Sequence, residues 1–253
     1  MKHFRSIVLT GASSGIGAAL ARDYAATGVR LALVGRDSAR LAAVAGDCRD
    51  KGADVDAATI DITERAVFED WLRTQDAARP VDLVIANAGV ALEKGRDLGD
   101  GESLRRTMAI NVDGTLNTIL PLLPAMRARR AGQVGIVSSL AGFFGLPRAA
   151  GYNASKAAGR VLAETLRIQL KADNIGVSAI CPGFVESAIT RDNDIPMPFL
   201  MTAQRASAII RRGLAHNRAR IAFPLPTKAA VWLGMALPGG LTSRLLGGSA
   251  SRP

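Results

Sequence analysis

The sequence predicts an α/β fold in a single domain. Short apolar runs alternate with helix-like stretches along the chain, which is typical of parallel strands connected by helices. The 253 residues can bury a substantial core, and neither a linker-like stretch nor an internal repeat divides them. A glycine-rich turn follows the first apolar run and leads into the first helix-like stretch. Together these three features favour a parallel sheet covered by helices.

Six short apolar runs are the predicted strands: Ser6–Leu9, Arg30–Val34, Val55–Ile60, Val81–Ile85, Gly135–Val137 and Gly176–Ile180. The helix-like stretches are Ala18–Ala26, Ser38–Cys48, a segment around Val67–Leu72, Leu104–Met126 and the segment after Gly151. From Phe184 to Met201 the pattern is irregular, and a long loop in a compact domain is more often functional than structural. We therefore expect a lid over about residues 184–213 and a basic, apolar tail over about residues 224–253.

Composition limits the classes of protein that fit the chain. Cys48 and Cys181 lie far apart, so we expect no disulfide framework, and a cytoplasmic location is the default. No signal-peptide pattern and no bilayer-spanning apolar run is found, which predicts a soluble or peripheral protein. The net charge of +10 is compatible with nucleic acid, an anionic membrane or acidic ligands. No acidic residue follows Asp194, whereas eight basic residues do: Arg205, Arg211, Arg212, Arg218, Arg220, Lys228, Arg244 and Arg252.

The glycine-rich turn is Thr10–Gly17, between the first strand and the first helix. Gly11, Gly15 and Gly17 permit a tight turn and a close approach of backbone to ligand. The free N–H groups and the positive dipole end of the following helix point at the same place. We therefore expect this turn to hold a pyrophosphate, as dinucleotide-binding turns do.

The ends of the second and third strands carry residues that bear on the choice of dinucleotide. An arginine at the end of the second strand suits the 2′-phosphate of NADP, whereas an acidic residue suits the 2′-hydroxyl of NAD. Gly35 and Arg36 favour NADP, although Asp37 stands beside them and any arginine is commonplace in this arginine-rich chain. Asp61 either accepts a hydrogen bond from an adenine amino group or belongs to the N-terminal cap of the next helix.

Tyr152 and Lys156 lie four residues apart in a helix-like segment, so they share a face of that helix. A phenol is a poor proton shuttle at neutral pH, but a neighbouring cation favours the phenolate and brings it into range for acid/base chemistry. Ser139 follows a buried strand, where ligands sit in open α/β sheets, and its hydroxyl could bind the oxygen that the tyrosine protonates. A tyrosine–lysine pair at this spacing is usually a mere surface contact, so the catalytic interpretation depends on the other motifs.

Six motifs occur in the order and spacing of the short-chain dehydrogenase/reductase family, which the chain resembles over roughly residues 5–190: Thr10-Gly11-x-x-x-Gly15-x-Gly17, Asn87-Ala88-Gly89, Asn111, Ser139, Tyr152-x-x-x-Lys156 and Pro182-Gly183. The resemblance implies a doubly wound, Rossmann-type fold with a seven-stranded parallel sheet. It also implies a nicotinamide cofactor and the interconversion of a carbonyl and an alcohol.

Residue roles follow from the same resemblance. Tyr152 resembles the general acid/base, Lys156 the ribose ligand that lowers the pKa of that tyrosine, and Ser139 the donor to the carbonyl oxygen. Asn111 resembles the residue at which the helix is kinked and holds a water molecule. The expected cofactor-binding residues are Thr10, Gly11, Ser13, Ser14, Gly15, Ile16, Gly17, Arg36, Asp61, Ile62, Asn87, Ala88, Gly89, Tyr152, Lys156, Pro182, Gly183, Val185 and Ser187, the last standing where many members carry threonine. No metal ligands are expected.

The expected function is reduction of an apolar ketone or aldehyde with NADP(H), NAD(H) being the alternative cofactor. Phe143, Phe144, Leu146 and Met197–Met201 would form an apolar pocket wall, unless they serve core packing. Reduction of an acyl-carrier-linked 3-oxoacyl group is less favoured, because the chain lacks the short Gly-Gly closing strand of those reductases. A non-catalytic NADP-binding or regulatory protein is a further alternative. Specific nucleic-acid binding is not expected, since no basic recognition helix or RNA-binding motif is found.

Two kinds of partner remain. The resemblance suggests a homodimer or homotetramer built on the Leu104 and Tyr152 helices. In the tail, the apolar run Ala229–Leu237 contains Trp232 and has basic flanks, which is the pattern of a peripheral anchor on an anionic membrane. Alternatively, Trp232 and Leu237 pack against the core or a sister subunit.

Overall fold

The computed structural model describes residues 1–92, 101–146, 149–191, 196–238 and 240. Parts of the predicted lid (192–195) and tail (239 and 241–253) lie outside these residues. The strands are β1 Ser6–Thr10, β2 Arg30–Gly35, β3 Asp54–Thr59, β4 Leu83–Ala86, β5 Gly132–Val137, β6 Ile175–Pro182 and β7 Arg220–Phe223. The α-helices are α1 Gly15–Tyr24, α2 Ser38–Asp50, α3 Arg65–Ala78, α4 Gly101–Met108, α5 Gly114–Ile119, α6 Leu123–Ala128, α7 Ala150–Gln169, α8 Ala188–Arg191, α9 Ala203–Ala215 and α10 Leu225–Ala236.

The seven strands form one parallel sheet in the order β3-β2-β1-β4-β5-β6-β7. The first strand lies inside the sheet: Val8 pairs with Ala32 of β2 on one side and with Val84 of β4 on the other. The strand order reverses between β1 and β4, and the crevice at such a reversal is where open α/β sheets bind ligands. The doubly wound fold and the single domain expected from the sequence are thereby confirmed.

Helices cover both faces of the sheet. Alternate residues of a strand point to opposite faces, so Ile7 and Leu9 join one buried cluster with helices α1, α2 and α9, whereas Val8 joins another with α3, α5 and α7. Both faces are therefore filled by apolar packing. The ends of the strands remain as the place for polar chemistry.

The stretch predicted as one helix, Leu104–Met126, is interrupted twice. A π-helical stretch, Ala109–Asp113, separates α4 from α5, and a 3₁₀ turn, Leu120–Leu122, separates α5 from α6. Pro121 explains the second interruption, because proline supplies no N–H for the helical ladder. The first has its cause in Asn111, described below.

The predicted lid is in part a core element. Helix α9 buries Ala206, Ile210 and Leu214 completely in the same cluster as α1, because its apolar residues recur at helical spacing. A lid would therefore comprise only the stretch before Ala203. An isolated parallel bridge between Val185 and Met201 joins the two ends of that stretch.

The described part of the tail is helix α10. Its buried residue is Val231, whereas Trp232 is 46% exposed and so does not fill the core. Its solvent-facing side is apolar and carries Leu225, Leu233 and Met235 at 73%, 70% and 51% exposure. Among the described residues, no helix combines the length and apolarity needed to cross a membrane.

Candidate functional site

The turn Thr10–Gly17 forms a backbone cradle at the end of β1. Gly11 and Gly15 have φ angles of 67° and 51°, which favour glycine. A Cβ on Gly17 would lie 2.1 Å from the carbonyl oxygen of Gly11, so glycine is required there. Helix α1 begins at Gly15, and in the described structure the Ser14 side chain does not cap it. The first-turn N–H groups of α1 thus add their partial positive charge to the cradle.

Thr10 and Asn87 lock the ends of β1 and β4 together. The Nδ2 atom of Asn87 donates to the carbonyl oxygens of Thr10 at 2.9 Å and Gly11 at 3.3 Å. In return, the N–H groups of Asn87 and Ala88 donate to Oγ1 of Thr10 at 3.1 and 3.2 Å. The reversal point of the sheet is therefore fixed by side chains from both strands.

Asn111 is buried in the π-helical stretch and joins β4 to α7. Its Oδ1 accepts from the Val90 N–H at 2.8 Å, and its Nδ2 donates to the Val90 carbonyl at 2.9 Å and to Ser155 Oγ at 2.9 Å. Oδ1 and Nδ2 of Asn111 thus bind groups outside its own helix, on Val90 and on Ser155 of α7. We attribute the local widening of the helix to these hydrogen bonds. Gly89 lies in the same space, since a Cβ there would be 3.0 Å from both Asn111 Oδ1 and Lys156 Nζ.

Tyr152, Lys156 and Ser139 converge beside the ends of β5 and β6. The Lys156 Nζ atom lies 5.7 Å from the centre of the Tyr152 ring, and it donates to the Val137 carbonyl at 3.0 Å. The side chains of Tyr152 and Ser139 are hydrogen-bonded to each other. Ser139 Oγ also contacts the Pro182 carbonyl at 3.4 Å. The structure thus brings the three side chains into one group.

Burial controls protonation in this group. It raises the pKa of the Tyr152 phenol, and the hydrogen bond with Ser139 offsets only part of that effect. It also lowers the pKa of Lys156 from 10.5 to about 8. In the cofactor-free protein the pKa of Tyr152 is thus raised by desolvation of the phenolate, and the lowering of that pKa by Lys156 stays a prediction. Near pH 7 the pair consists of a neutral phenol and an ammonium.

The turn that carries Ser139 packs directly on the backbone of α7. Ser138 Oγ donates to the Lys156 carbonyl at 2.6 Å. A Cβ on Gly142 would lie 2.6 Å from the carbonyl carbon of Lys156 and 2.8 Å from the Ala157 nitrogen. Only a residue without a side chain fits so close to the helix.

Arg36 follows β2 and is exposed near the cradle. Gly35 packs on Ser13: a Cβ added to Gly35 would lie only 3.0 Å from the Cβ of Ser13. The neighbouring Asp37 is directed elsewhere, because its carboxylate accepts from the N–H and Nε of Arg40 at 2.9 and 2.7 Å and caps α2. The backbone hydrogen bond from Arg40 holds the pKa of Asp37 below its ordinary value. Asp37 is thus engaged by its own helix, and Arg36 is not paired with it.

Asp61 faces the same region as Arg36. Its Oδ1 accepts from the N–H and Oγ1 of Thr63 at 2.9 and 2.8 Å. Partial burial raises the pKa of Asp61, but these hydrogen bonds and the charge of Arg36 outweigh it and lower the pKa. The N-cap of helix α3 is Glu64, so Asp61 does not occupy that position.

Of the remaining predicted cofactor-binding residues, Ser187 borders the cradle, whereas the side chains of Val185, Ile62 and Ile16 pack in the core. The Ser187 Cβ lies 3.0 Å from where a Cβ on Gly15 would be, so Ser187 borders the cradle. The Val185 side chain is buried in the core and its carbonyl accepts from Thr190 Oγ1 at 2.9 Å. Ile62 is likewise buried, with Cδ1 pressed against Gly114, and Ile16 packs against the core. These three apolar side chains do not line the cradle, which leaves their backbones to contact a ligand.

The comparisons with known proteins agree with this geometry. The family model for short chain dehydrogenase matches residues 5–196. This chain belongs to the short-chain dehydrogenase/reductase family. It is 36% identical over 239 residues to an uncharacterized oxidoreductase of Myxococcus xanthus, with 94% of each chain covered. It is also 36% identical over 191 residues to 11-beta-hydroxysteroid dehydrogenase A of Sesamum indicum, covering 73% of this chain and 53% of that relative.

Among solved structures, a short-chain dehydrogenase from Sphingobium yanoikuyae in complex with NADPH has a TM-score of 0.81 and 27% identity, covering 98% of this chain and 96% of that one. This short-chain dehydrogenase/reductase is accordingly an oxidoreductase that uses NAD(P)(H). The residues of the site fit such a cofactor. The left-handed glycines and the N-terminus of α1 suit a pyrophosphate, and the positions of Gly17 and Gly89 have no room for a side chain.

Sequence reasoning missed a cluster beside the site: Phe143, Arg160, Glu164 and Arg220. The guanidinium groups of Arg160 and Arg220 lie 4.7 and 5.3 Å from the centre of the Phe143 ring. The signal was present in α7, where Arg160 stands one turn beyond Lys156 and Glu164 one turn beyond Arg160. Arg220 could not be associated with them from the sequence, because β7 is 56 residues away from Glu164 and was not predicted as a strand.

Proposed function

We propose that this protein reduces an apolar ketone or aldehyde to the alcohol with NADPH, and catalyses the reverse reaction with NADP⁺. The observation that supports this best is the group formed by buried Ser139 and Lys156 with partly buried Tyr152, beside the glycine cradle. At neutral pH that group presents a phenol that still carries its proton, which is the form needed for reduction. A partly buried phenol together with a buried hydroxyl and a buried ammonium is typical of acid/base catalysis rather than of surface packing.

The reaction requires a hydride at the carbonyl carbon and a proton at the carbonyl oxygen. The reduced nicotinamide supplies the hydride when it is bound. Ser139 Oγ donates a hydrogen bond to the carbonyl oxygen, and Tyr152 Oη transfers its proton to that oxygen as the alcohol forms. The ammonium of Lys156 stabilises the phenolate left on Tyr152. In the reverse direction the phenolate removes the proton of the alcohol.

Asn111 is proposed to fix the position of Tyr152 and Lys156 relative to the glycine cradle. It binds Val90, next to the cofactor side of β4, and Ser155, next to Lys156. It therefore sets the distance between α7 and the end of β4. The π-helical stretch around it is the place where the family resemblance puts a bound water.

The proposed preference for NADPH rests on Arg36. It is exposed beside Ser13 and the cradle, while Asp37, the acidic residue that would favour NAD, is engaged by Arg40. A charge-assisted contact with a 2′-phosphate is worth about 1.5–3 kcal/mol. Arg36→Ala should thus weaken NADPH binding roughly ten- to a hundred-fold and leave NADH binding nearly unchanged.

Isothermal titration with both cofactors measures this. Arg49→Ala, at the far end of α2, is the matched control and should change neither affinity. If Arg36→Ala weakened both cofactors equally, the arginine would not be reading the phosphate.

An apolar substrate is proposed from the wall beside Ser139. Phe143 and Phe144 are partly buried and pack on the core cluster, and Phe199 and Leu200 of the proposed lid are 60% and 45% exposed. The hydroxysteroid substrate named for the sesame relative is of the same apolar kind. These observations support a substrate of low polarity.

NADPH oxidation across ketones and aldehydes of increasing chain length tests the function as a whole. The rate should rise with chain length. NADPH binding without turnover of any carbonyl compound would instead favour the non-catalytic alternative, and turnover restricted to carrier-bound 3-oxoacyl groups would favour the acyl-carrier alternative.

A homodimer or homotetramer is proposed from the apolar surface of α5 and α7. Val112, Leu116 and Leu162 line a shallow cavity there, and Val161 and Ile168 are 49% and 78% exposed on α7. Apolar surface of this kind marks interaction sites. Sedimentation equilibrium measures the stoichiometry.

A further inference from the structure

The Ser139 turn depends on α7 for its position. Its 3₁₀ residues, Leu140–Gly142, touch α7 through Gly142, which lies against the Lys156 carbonyl. The turn is short, and such a turn has few hydrogen bonds of its own. The contacts that hold this turn against α7 therefore determine the position of the Ser139 hydroxyl relative to Tyr152.

Arg160 makes two contacts with this turn. Its Nε donates to the Gly142 carbonyl at 3.4 Å, and its guanidinium lies 4.7 Å from the centre of the Phe143 ring. Arg160 is one helical turn beyond Lys156 and two beyond Tyr152, so the same face of α7 carries all three. Its side chain is only 18% exposed, which strengthens both contacts relative to those of a solvated arginine.

Glu164 and Arg220 hold that arginine in place. The Glu164 Oε2 lies 3.0 Å from Arg160 Nη1, and its Oε1 accepts from Arg220 Nη2. Arg220 also lies 5.3 Å from the Phe143 ring. One carboxylate thus bridges two guanidinium groups, and both guanidinium groups contact one ring. The cluster ties α7 and β7 to the residue that follows the Ser139 turn.

We propose that Arg160 is a positioning residue, which through Gly142 and Phe143 holds Ser139 Oγ within hydrogen-bonding distance of Tyr152 Oη. Glu164 and Arg220 support it by fixing its guanidinium. The inference rests on the proposed reductase function for its kinetic consequences. Its structural consequence, the Ser139–Tyr152 hydrogen bond, can be measured without turnover.

The test compares Arg160→Met with Arg73→Met. Methionine keeps an unbranched apolar chain and removes the guanidinium. Arg73 also pairs with a glutamate four residues away, Glu69 on α3 at 2.6 Å, but its side chain is 67% exposed and does not touch the turn, so it is the control for loss of an arginine–glutamate pair as such. Crystal structures of the full-length variants should place Ser139 Oγ beyond about 3.5 Å from Tyr152 Oη in Arg160→Met and within that distance in Arg73→Met.

A titration of Tyr152 gives a second reading. The chain contains two tyrosines, so Tyr24→Phe leaves Tyr152 as the single phenol. In that background, the ¹³Cζ shift of labelled tyrosine should titrate about 1–2 units higher with Arg160→Met, the value of one lost hydrogen bond to the phenolate. Glu164→Gln should shift it in the same direction by less.

The kinetic expectation is a roughly ten-fold fall in kcat with an unchanged KM for NADPH, and a rise of alcohol oxidation with pH that moves to higher pH. An unchanged Ser139–Tyr152 distance in Arg160→Met would overturn the inference, even if the variant were slow or unstable. Absence of turnover in the wild-type protein, with the distance changed as expected, would contradict the proposed function and leave the positioning role intact.

Discussion

At the scale of single residues, the site assigns two roles to two side chains: Tyr152 carries the proton, and Lys156 carries the positive charge. Tyr152 is partly buried and neutral near pH 7, and Lys156 is buried but still mostly an ammonium there. Holding that ammonium in the interior costs folding free energy, since a buried cation loses its hydration. Function and stability therefore make opposite demands on Lys156, and each can be measured.

Removing the Tyr152 hydroxyl should abolish turnover. Tyr152→Phe deletes the proposed acid and leaves the glycine cradle in place, so we expect a loss of at least roughly 100-fold in kcat with nearly normal NADPH affinity. Stopped-flow reduction of a ketone and fluorescence titration of NADPH measure the two quantities. Tyr24→Phe is the control, and substantial residual turnover in Tyr152→Phe would assign the proton to another donor.

Removing the Lys156 charge should stabilise the cofactor-free protein. The pKa of Lys156 is about 8 in the folded state and near 10.5 in the unfolded state, so below pH 8 the charged form is penalised on folding. Between these values the unfolded state binds more protons, and this group makes stability rise with pH. Lys156→Met should raise the free energy of unfolding by about 1–3 kcal/mol at pH 7 and by much less at pH 10.

Denaturant unfolding at both pH values checks this, with the exposed Lys171→Met as control. A destabilised Lys156→Met protein at pH 7 would mean that the hydrogen bond to Val137 outweighs the burial of the charge.

At the scale of elements, the contact between the Ser139 turn and α7 sets the precision of the site. Gly142→Ala would put a methyl group 2.6 Å from the Lys156 carbonyl carbon, and backbone atoms cannot move aside cheaply. We expect a loss of about 1–3 kcal/mol in stability and a lower kcat, because the turn must shift. Gly145→Ala is the control, since no atom lies within 4 Å of its Cβ position.

Thermal unfolding and steady-state kinetics of the two variants measure the difference. Equal behaviour of Gly142→Ala and Gly145→Ala would show that the turn tolerates displacement from α7.

The sequence predicted elements whose signals are local. The first strand, the turn Thr10–Gly17 and the Tyr152 helix each carry their own pattern of apolar spacing and glycines. Apolar spacing predicted one unbroken helix over Leu104–Met126, and only the family resemblance placed a kink at Asn111, because the π-helical stretch depends on Asn111 binding Val90, which is 21 residues away. Sequence reasoning missed β7, whose apolar part, residues 221–223, is bounded by Arg220 and Pro224, and with β7 it missed the partner of Glu164.

At the scale of the whole molecule, α10 exposes its apolar side. Leu225, Leu233 and Met235 face solvent, and the Lys228 Nζ lies 4.1 Å above the Trp232 ring at the edge of that side. A lysine beside a tryptophan and apolar residues is the pattern of an interfacial helix. The membrane contact expected from the sequence thus stays a prediction, now with named residues.

Trp232→Ser combined with Leu233→Ser should abolish co-sedimentation with anionic vesicles at low salt, whereas the unmodified protein should sediment with them and be released by high salt. Val231 remains in both proteins, so the core is kept. Val67→Ser, a change of a 62% exposed apolar residue on α3, is the control. Negligible sedimentation of the unmodified protein would contradict the membrane contact and favour packing of α10 against a sister subunit.

The strand order has a consequence for the nascent chain. The first 86 residues contain β1 to β4, so the glycine cradle and four adjacent strands can be in place before Tyr152 has been translated. The outer edge of β4, a wholly apolar Leu-Val-Ile-Ala run, has no neighbour until Gly132–Val137 emerges. An unpaired apolar edge invites association with other chains, so we expect a ribosome-bound intermediate of this length to be prone to aggregation.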